Sequence, residues 1–358
     1  MFDRLLGLCA RASTSDAQRA EVLREVERYE AWGSLAARAE AHGIGPLVHH
    51  HLKELAGVPR DVKRGLLGSA LRHRRANELR ARLLAELVHE LEARALPALL
   101  LKGAALAFSI YPDPGLRAMR DIDLLVREAD LAEIGSLLAR LGYAAANEDG
   151  WADYRVHPHH QPRRSRTVDD LRISIEVHRR LGIATAGARA TLDELSPKSA
   201  TISIGGAAAR TLGPTDMLVH VHYHGFCTPL RWQDEVRLVS VADLVALSEA
   251  WVHGDWRAIV EGAPRFVGSL LWLDALTPWD EPLRRALGLG ERPSMGGLGE
   301  DYTGWPHRVE QGAERRTSAR LSRATLEPPE WWLRLRHGGR PGALGRAACL
   351  ARHLAEVV

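Results

Sequence analysis

Cysteine is scarce in this 358-residue sequence, and long hydrophobic runs are missing altogether. The three cysteines, Cys9, Cys227 and Cys349, lie too far apart for a CxxC metal knuckle and cannot form a fully paired disulfide framework. No segment approaches the roughly 20 apolar residues of a membrane helix. The first twelve residues also lack the layered charge and apolar pattern of a signal peptide. These absences argue against a disulfide-rich secreted protein and a membrane protein, and they predict a cytoplasmic location.

Lysine is also scarce for a chain of this size, because arginine supplies nearly all of the positive charge. The only lysines are Lys53, Lys63, Lys102 and Lys198. Lys+Arg total 48 and Asp+Glu total 45, so the formal net charge is only +3. Such a small excess does not require a membrane or nucleic-acid partner, and DNA is not an expected ligand. A hydrophobic content of 46% with 26% charged residues is typical of a folded globular protein, and the length predicts about two domains.

Helical periodicity dominates both ends of the chain. The clearest stripe has a leucine at every fourth position, which predicts an amphipathic helix. Its members are Leu79, Leu83, Leu87 and Leu91. We therefore predict a helical N-terminal region over 1–96, a mixed α/β core over 97–213, and a helical C-terminal region over 214–358 that contains Gly- and Pro-rich loops.

Three carboxylates fall on two of the predicted strands. In Asp121-Ile122-Asp123 the alternation of a strand places both aspartates on one face. Glu176 belongs to the strongest period-two pattern in the chain, 171–178. Clustered carboxylates bind hard divalent cations such as Mg²⁺ or Mn²⁺, and phosphoryl chemistry uses such cations to neutralise developing charge. The pattern predicts a metal site for reactions at phosphate.

A short apolar strand, a glycine turn and an alanine-rich helix precede these carboxylates, at 97–111. Together with the Asp-Ile-Asp strand, this segment resembles the DNA polymerase β-like nucleotidyltransferases, and most closely their branch of uncharacterised nucleotidyltransferases. That branch has a Lys-Gly turn, an arginine shortly before Asp-Ile-Asp, and a later Glu-x-His strand. Here these features are Lys102-Gly103, Arg117 and Glu176-Val177-His178. The resemblance covers roughly residues 99–181.

The resemblance implies an α+β fold whose small mixed-sheet core lies between helical regions. It also implies transfer of a nucleoside monophosphate from a nucleoside triphosphate to an acceptor hydroxyl, with release of pyrophosphate. Asp121, Asp123 and Glu176 would hold catalytic Mg²⁺ or Mn²⁺, and Glu176 would help to deprotonate the acceptor. The acceptor stays open among a small molecule, a peptide or protein, and an RNA end. Because relatives of this branch occur beside pathways for ribosomally made peptides, peptide tailoring is one option.

The same resemblance assigns the triphosphate contacts to Lys102, Gly103 and Arg117. The turn reads Lys102-Gly103-Ala104 where the wider superfamily has Gly-Ser, so a hydroxyl is missing from the usual phosphate contact. Backbone amides at the start of the following helix can still bind phosphate, and Lys102 would supply the missing interaction. For His178 we expect a hydrogen bond to a metal ligand rather than a catalytic role.

Other readings of the sequence are weaker. Two histidine clusters, His157/His159/His160 and His220/His222/His224, have neither the glutamate nor the cysteine partners of common zinc motifs. The arginine-rich stretch 72–82 predicts a solvated helix face, and the tryptophans at 331–332 predict packing of a terminal helix.

A non-catalytic antitoxin-like or regulatory protein on the same fold is the alternative function. It gives no physical reason to retain three mutually repelling carboxylates.

Overall fold

The computed structural model describes residues 3–145, 161–182, 189–227, 237–251, 264–291 and 343–357, with residues 254, 256, 333 and 337 between them. Contacts divide the chain into two compact units. Residues 1–69 and 221–358 form one unit, and residues 70–220 form the other. The three-region division drawn from the sequence stays a prediction.

The described helices are α1 (Arg4–Leu8), α2 (Asp16–Arg28), α3 (Trp32–Ala41), α4 (Gly45–Leu52), α5 (Arg60–Ala93), α6 (Lys102–Ser109), α7 (Leu131–Arg140), α8 (Leu192–Leu195), α9 (Pro214–His222), α10 (Leu238–Ala250), α11 (Pro264–Leu276), α12 (Glu281–Ala286) and α13 (Ala343–Val357). The described strands are β1 (Ala98–Leu101), β2 (Ile122–Val126), β3 (Ala144–Ala145), β4 (Arg164–Val168), β5 (Leu171–His178), β6 (Leu181–Gly182), β7 (Arg189–Ala190), β8 (Ala200–Ile204) and β9 (Ala207–Thr211). None of the described helices combines the length and apolar character needed to cross a membrane.

The leucine stripe predicted from the sequence lies on α5 and is buried along its length. Leu79, Leu83, Leu87 and Leu91 are all at most 8% exposed. The other face of α5 carries exposed arginines, as expected, but Arg80 is an exception because it is only 5% exposed. The stripe thus anchors α5 through burial of apolar side chains.

Seven strands form one mixed sheet in the unit of residues 70–220, in the order β3-β4-β5-β2-β1-β9-β8. β2 pairs in parallel with β5 and antiparallel with β1, so β5, β2 and β1 are neighbours near the centre of the sheet. Every residue of β2 is buried. The combination of this sheet with many helices confirms the α+β class.

The sequence also predicts helix from Pro214 to about Ala250, and the structure adds detail to this segment. α9 ends at His222 and continues into a π-helical turn, Tyr223–Cys227. α10 begins at Leu238. Such π turns interrupt the regular backbone ladder and occur frequently at functional sites, although a hydropathy pattern does not reveal them.

A buried arginine ties together the unit of residues 1–69 and 221–358. The Arg11 side chain is 1% exposed and forms an ion pair with Glu249, which lies in the last turn of α10. Its guanidinium also donates to the carbonyl of Ser13 at 2.7 Å and to the hydroxyl of Thr277 at 3.3 Å. The pair therefore joins the end of α1 to helices more than two hundred residues further along the chain.

We predict that Glu249→Ala lowers the free energy of unfolding by about 3 kcal/mol, because it leaves the buried Arg11 charge without its carboxylate. Arg28→Ala is the matched control, since Arg28 is 66% exposed in its pair with Glu25, and it should cost less than about 1 kcal/mol. Urea denaturation of both variants measures the difference. Equal losses would show that the Arg11–Glu249 pair contributes no more than a surface pair.

Candidate active site

Pairing between β2 and β5 brings two of the candidate carboxylates side by side. In the parallel register Asp123 lies opposite Glu176, and Leu125 lies opposite His178. Because side chains alternate along a strand, Glu176 and His178 emerge on the same face as Asp123. The gap of about fifty residues between Asp123 and Glu176 in the sequence is thus closed by one strand pairing.

Asp123 is the most buried of the three carboxylates and makes two polar contacts. Its Oδ1 lies 2.7 Å from Nε2 of His178 and 3.3 Å from Nζ of Lys102. Lys102 reaches it because Leu101, the last residue of β1, is paired with Asp123 across the sheet. The hydrogen bond expected for His178 is therefore present, and Lys102 lies beside a carboxylate as well as at the turn.

Arg163, immediately before β4, bridges the other two carboxylates. Its Nη2 lies 3.0 Å from Oδ2 of Asp121 and also contacts Oε1 of Glu176, to which its Nε donates at 2.8 Å. A planar guanidinium can satisfy two carboxylates at once in this way. Arg163 thus supplies positive charge between two carboxylates that would otherwise repel each other.

The surroundings of Asp121 shift the pKa of its carboxyl group. Burial raises the pKa of this carboxyl above its ordinary value of 3.8, and the neighbouring Asp123 and Glu176 raise it further. Arg163 and Lys102 act in the opposite direction without cancelling the shift. The shift therefore reflects both the burial of Asp121 and the proximity of the other two carboxylates, whose mutual repulsion a bound cation would relieve.

The turn between β1 and α6 has an unusual backbone. Lys102 adopts a positive φ of 44°, a conformation that costs free energy for a residue with a side chain. At the next position a Cβ would lie 3.2 Å from Nη1 of Arg117 and 3.2 Å from Cγ of Met119, so only glycine fits without displacing them. Gly103 thus permits Arg117 to lie directly against the turn.

Asn77 and Arg80 of α5 form hydrogen bonds that hold the segment carrying Arg117. Asn77 donates from Nδ2 to the carbonyl of Arg117 at 2.8 Å and to that of Pro114 at 2.6 Å. Arg80 donates to Oδ1 of Asn77 at 3.0 Å, and its buried Nε has no hydrogen-bond partner among the described residues. Burial lowers the pKa of Arg80 to about 10, while nearby Asp121 raises it and Arg117 lowers it. Arg80 thus adds a buried positive charge close to the carboxylates.

The donor set fits a divalent cation. Asp123, Glu176 and His178 each present a ligand atom, and these atoms lie within 4.8 Å of one another. Within the described part of the chain, these three residues form the one cluster that offers at least three possible metal ligands. The two carboxylates match the ligand chemistry of Mg²⁺ and Mn²⁺, and the imidazole is a ligand that transition-metal ions accept. Asp121 lies nearby through its contact with Arg163.

The histidine cluster of α9 does not form such a group. His220 and His222 are buried, whereas His224 is exposed. Burial lowers the pKa of His220 to about 3, and the charge of Lys102 lowers it further. The ring of His222 packs edge-on against Phe266, with ring centroids 4.9 Å apart. The cluster at His157, His159 and His160 and the tryptophans at 331–332 lie outside the described residues.

Sequence reasoning missed Arg163, Arg80 and Asn77. Arg163 has no local signal, because arginine occurs throughout this chain. Asn77 and Arg80 do carry one: with Leu84, Leu87 and Leu91 they share the heptad spacing that marks a buried helix face. Polar residues at two such positions indicate a buried polar network.

The raised pKa of Asp121 leads to a stability prediction. The folded protein holds the Asp121 proton more tightly than the unfolded chain, so this group's contribution to stability falls as pH rises from 3.8 through the raised pKa. We expect Asp121→Asn to raise the Tm of the metal-free protein at neutral pH, with a smaller gain as the pH is lowered. Differential scanning calorimetry across this range checks it.

Asp193→Asn is the matched control for that measurement, because Asp193 is 67% exposed in its pair with Arg127. Its Tm should follow that of the unmodified protein at every pH. A lower Tm for Asp121→Asn at neutral pH would mean that its pair with Arg163 outweighs the repulsion among the carboxylates.

Comparisons with known proteins identify the chain's family. No curated protein matches the sequence. Among solved structures, an antigenic nucleotidyltransferase-like protein from Paracoccidioides brasiliensis is similar, with 12% identity, a TM-score of 0.33, and coverage of 68% of this chain and 96% of that one. The family described as uncharacterised nucleotidyltransferase matches residues 29–266, which is most of the 358-residue chain and includes every carboxylate of the site. The protein therefore belongs to this nucleotidyltransferase family and is a transferase.

Proposed function

We propose that this enzyme transfers a nucleoside monophosphate from a nucleoside triphosphate to an acceptor hydroxyl, with Asp121, Asp123 and Glu176 as the metal-binding carboxylates. The acceptor oxygen forms a bond to the α-phosphorus, and the bond from that phosphorus to the bridging oxygen of the β-phosphate breaks. Pyrophosphate leaves with the bridging oxygen, and the hydroxyl proton passes to a carboxylate base, for which Glu176 is our candidate.

The observation that carries this proposal is the pairing of Asp123 with Glu176 beside the Lys102 turn. Asp123 and Glu176 lie on the adjacent strands β2 and β5, and Lys102 begins α6 directly after the neighbouring β1. Their juxtaposition places two carboxylates and a cation next to the start of α6. Nucleotidyl transfer requires both parts, carboxylates for the cation and a binding surface for phosphate.

The carboxylates would hold Mg²⁺ or Mn²⁺. When bound, such a cation would neutralise charge on the phosphate oxygens and make the acceptor hydroxyl more acidic. The raised pKa of Asp121 supports this assignment, because part of the shift comes from the neighbouring Asp123 and Glu176, whose repulsion a bound cation would relieve. A protein without a cationic ligand would gain stability by losing one of these carboxylates.

Lys102, Gly103 and Arg117 would bind the triphosphate. The first turn of α6 has no side-chain cap, so its backbone amides are available to an anion. The missing Cβ of Gly103 lets Arg117 lie against the same turn. The Lys102 ammonium, 3.3 Å from Asp123, lies between the carboxylates and this turn.

The helical regions would select the acceptor and the nucleobase of the triphosphate. A small molecule, a peptide or protein, and an RNA end all present a hydroxyl that the same chemistry could use. Peptide tailoring is the acceptor class to test first, because it follows from the setting of related nucleotidyltransferases.

The first prediction from this proposal concerns binding of each nucleoside triphosphate with Mg²⁺ or Mn²⁺, measured by isothermal titration calorimetry. The intact protein should bind at least one of them, and Asp123→Asn should weaken binding at least tenfold, about 1.4 kcal/mol. Asp193→Asn serves as the control for loss of one carboxylate from the same unit. Failure of the folded, intact protein to bind any triphosphate with either metal would overturn the proposal.

Once a triphosphate is identified, the position of the label distinguishes the reactions. With an acceptor present, label from the α-phosphate should appear on the acceptor, and label from the γ-phosphate should appear in pyrophosphate. Asp123→Asn should lower the transfer rate at least a hundredfold, about 2.7 kcal/mol. Transfer of the γ-label to the acceptor would instead identify a kinase.

Arg163 generates a separate prediction, because its guanidinium lies between Asp121 and Glu176, where it competes with a divalent cation. Arg163→Gln should therefore strengthen binding of Mn²⁺ alone roughly tenfold, about 1.4 kcal/mol. Arg172→Gln is the matched control, since it removes the same charge from an exposed position on β5. Weaker binding in Arg163→Gln would mean that the arginine instead holds the carboxylates in their binding geometry.

A further inference from the structure

We infer that His178 is itself a ligand of the metal, so that the site binds Mn²⁺ in preference to Mg²⁺ through one imidazole and two carboxylates. This inference rests on the proposed function, since it concerns the same site. It differs in the ligand set, because His178 joins Asp123 and Glu176 directly around one ion.

The strand register supports a direct role for His178. Glu176 and His178 are two residues apart on β5 and therefore lie on the same face, beside Asp123 and Leu125 of β2 respectively. A ligand set built on two paired strands is held by backbone hydrogen bonds rather than by loops. The backbone positions of its three residues are therefore fixed by the sheet before any ion binds.

The distances lie close to those of shared coordination. Ligand atoms bound at about 2.1 Å to one octahedral ion lie about 3 to 4.2 Å apart. Nε2 of His178 is 2.7 Å from Oδ1 of Asp123, and the three donor atoms lie within 4.8 Å of one another. Movements of about 1 Å or less would bring all three to coordination distance.

The surroundings of His178 also suit a ligand better than a surface residue. The residue is only 9% exposed, and its Nε2 is directed at the oxygen of a carboxylate that is itself 5% exposed. A buried imidazole nitrogen beside two carboxylates offers a cation a preformed set of three donors. Asp121 and Glu176 both contact Arg163, whereas Asp123 and His178 contact each other directly.

The chemistry of the donors predicts the metal preference. Mg²⁺ strongly prefers oxygen ligands and keeps several waters, whereas transition-metal ions accept imidazole nitrogen readily. Replacing one carboxylate ligand by an imidazole should therefore favour Mn²⁺. We expect the intact protein to bind Mn²⁺ at least tenfold more tightly than Mg²⁺.

The test is Mn²⁺ binding followed by electron spin echo envelope modulation, on protein that is unlabelled or labelled with ¹⁵N-histidine. Directly bound imidazole should give a nitrogen coupling that changes with the isotope. His178→Gln should abolish that coupling and weaken Mn²⁺ binding at least tenfold, whereas His89→Gln, an exposed position on α5, should change neither. An outer-shell histidine could affect affinity, but it would not give the coupling of a direct ligand.

His178→Asp is a second variant, in case His178→Gln fails to fold. It replaces the imidazole by a carboxylate, so that all three proposed ligands are carboxylates. It should retain metal binding, lack the nitrogen coupling and show a smaller preference for Mn²⁺ over Mg²⁺. If Mn²⁺ binds to the intact protein without histidine coupling, the role of His178 as a ligand is wrong while the proposed function stands. If the folded protein binds no Mn²⁺ with or without a nucleoside triphosphate, both fail.

Discussion

Repulsion among three neighbouring carboxylates is the constraint on which the site depends. Asp121, Asp123 and Glu176 are drawn together by the pairing of β2 with β5, and burial strengthens their mutual effect. Two cationic side chains reduce this repulsion: Arg163 bridges two of the carboxylates, and Lys102 contacts the third. Their charge is not sufficient to bring the pKa of Asp121 back to its ordinary value. The arrangement costs stability, and such a cost is typical of a site selected for binding or catalysis.

The phosphate-binding half of the site follows a different physical principle, which is close approach of backbone. A positive φ at Lys102 and the absence of a Cβ at Gly103 shape the turn, and Arg117 fills the space beside it. Asn77 holds the carbonyls of the segment that carries Arg117. The buried polar face of the long α5 helix therefore fixes the loop that leads into β2. Membership of the nucleotidyltransferase family agrees with a site that combines these two halves.

Much of this could be predicted from local sequence patterns. Alternating hydrophobicity located the strand that carries Glu176 and His178, and four-residue spacing located the buried stripe of α5. These patterns are readable because burial of one face imposes a period on the sequence that produces it. The helical pattern after Pro214 did not reveal the π turn at Tyr223–Cys227 that follows α9. A π turn retains helical hydropathy and so leaves no distinct period.

The sequence by itself determined the α+β character, the turn at Lys102-Gly103 and the candidate carboxylates, because each depends on residue types at short spacing. Only the tertiary structure decided which cations accompany those carboxylates. Arg163 and Arg80 are two arginines among many, and what distinguishes them is position: one lies between Asp121 and Glu176, and the other is buried beneath Arg117. The contact of Arg11 with Glu249 is of the same kind. Contacts between distant segments arise from the packing of whole elements, and no local pattern in the chain encodes them.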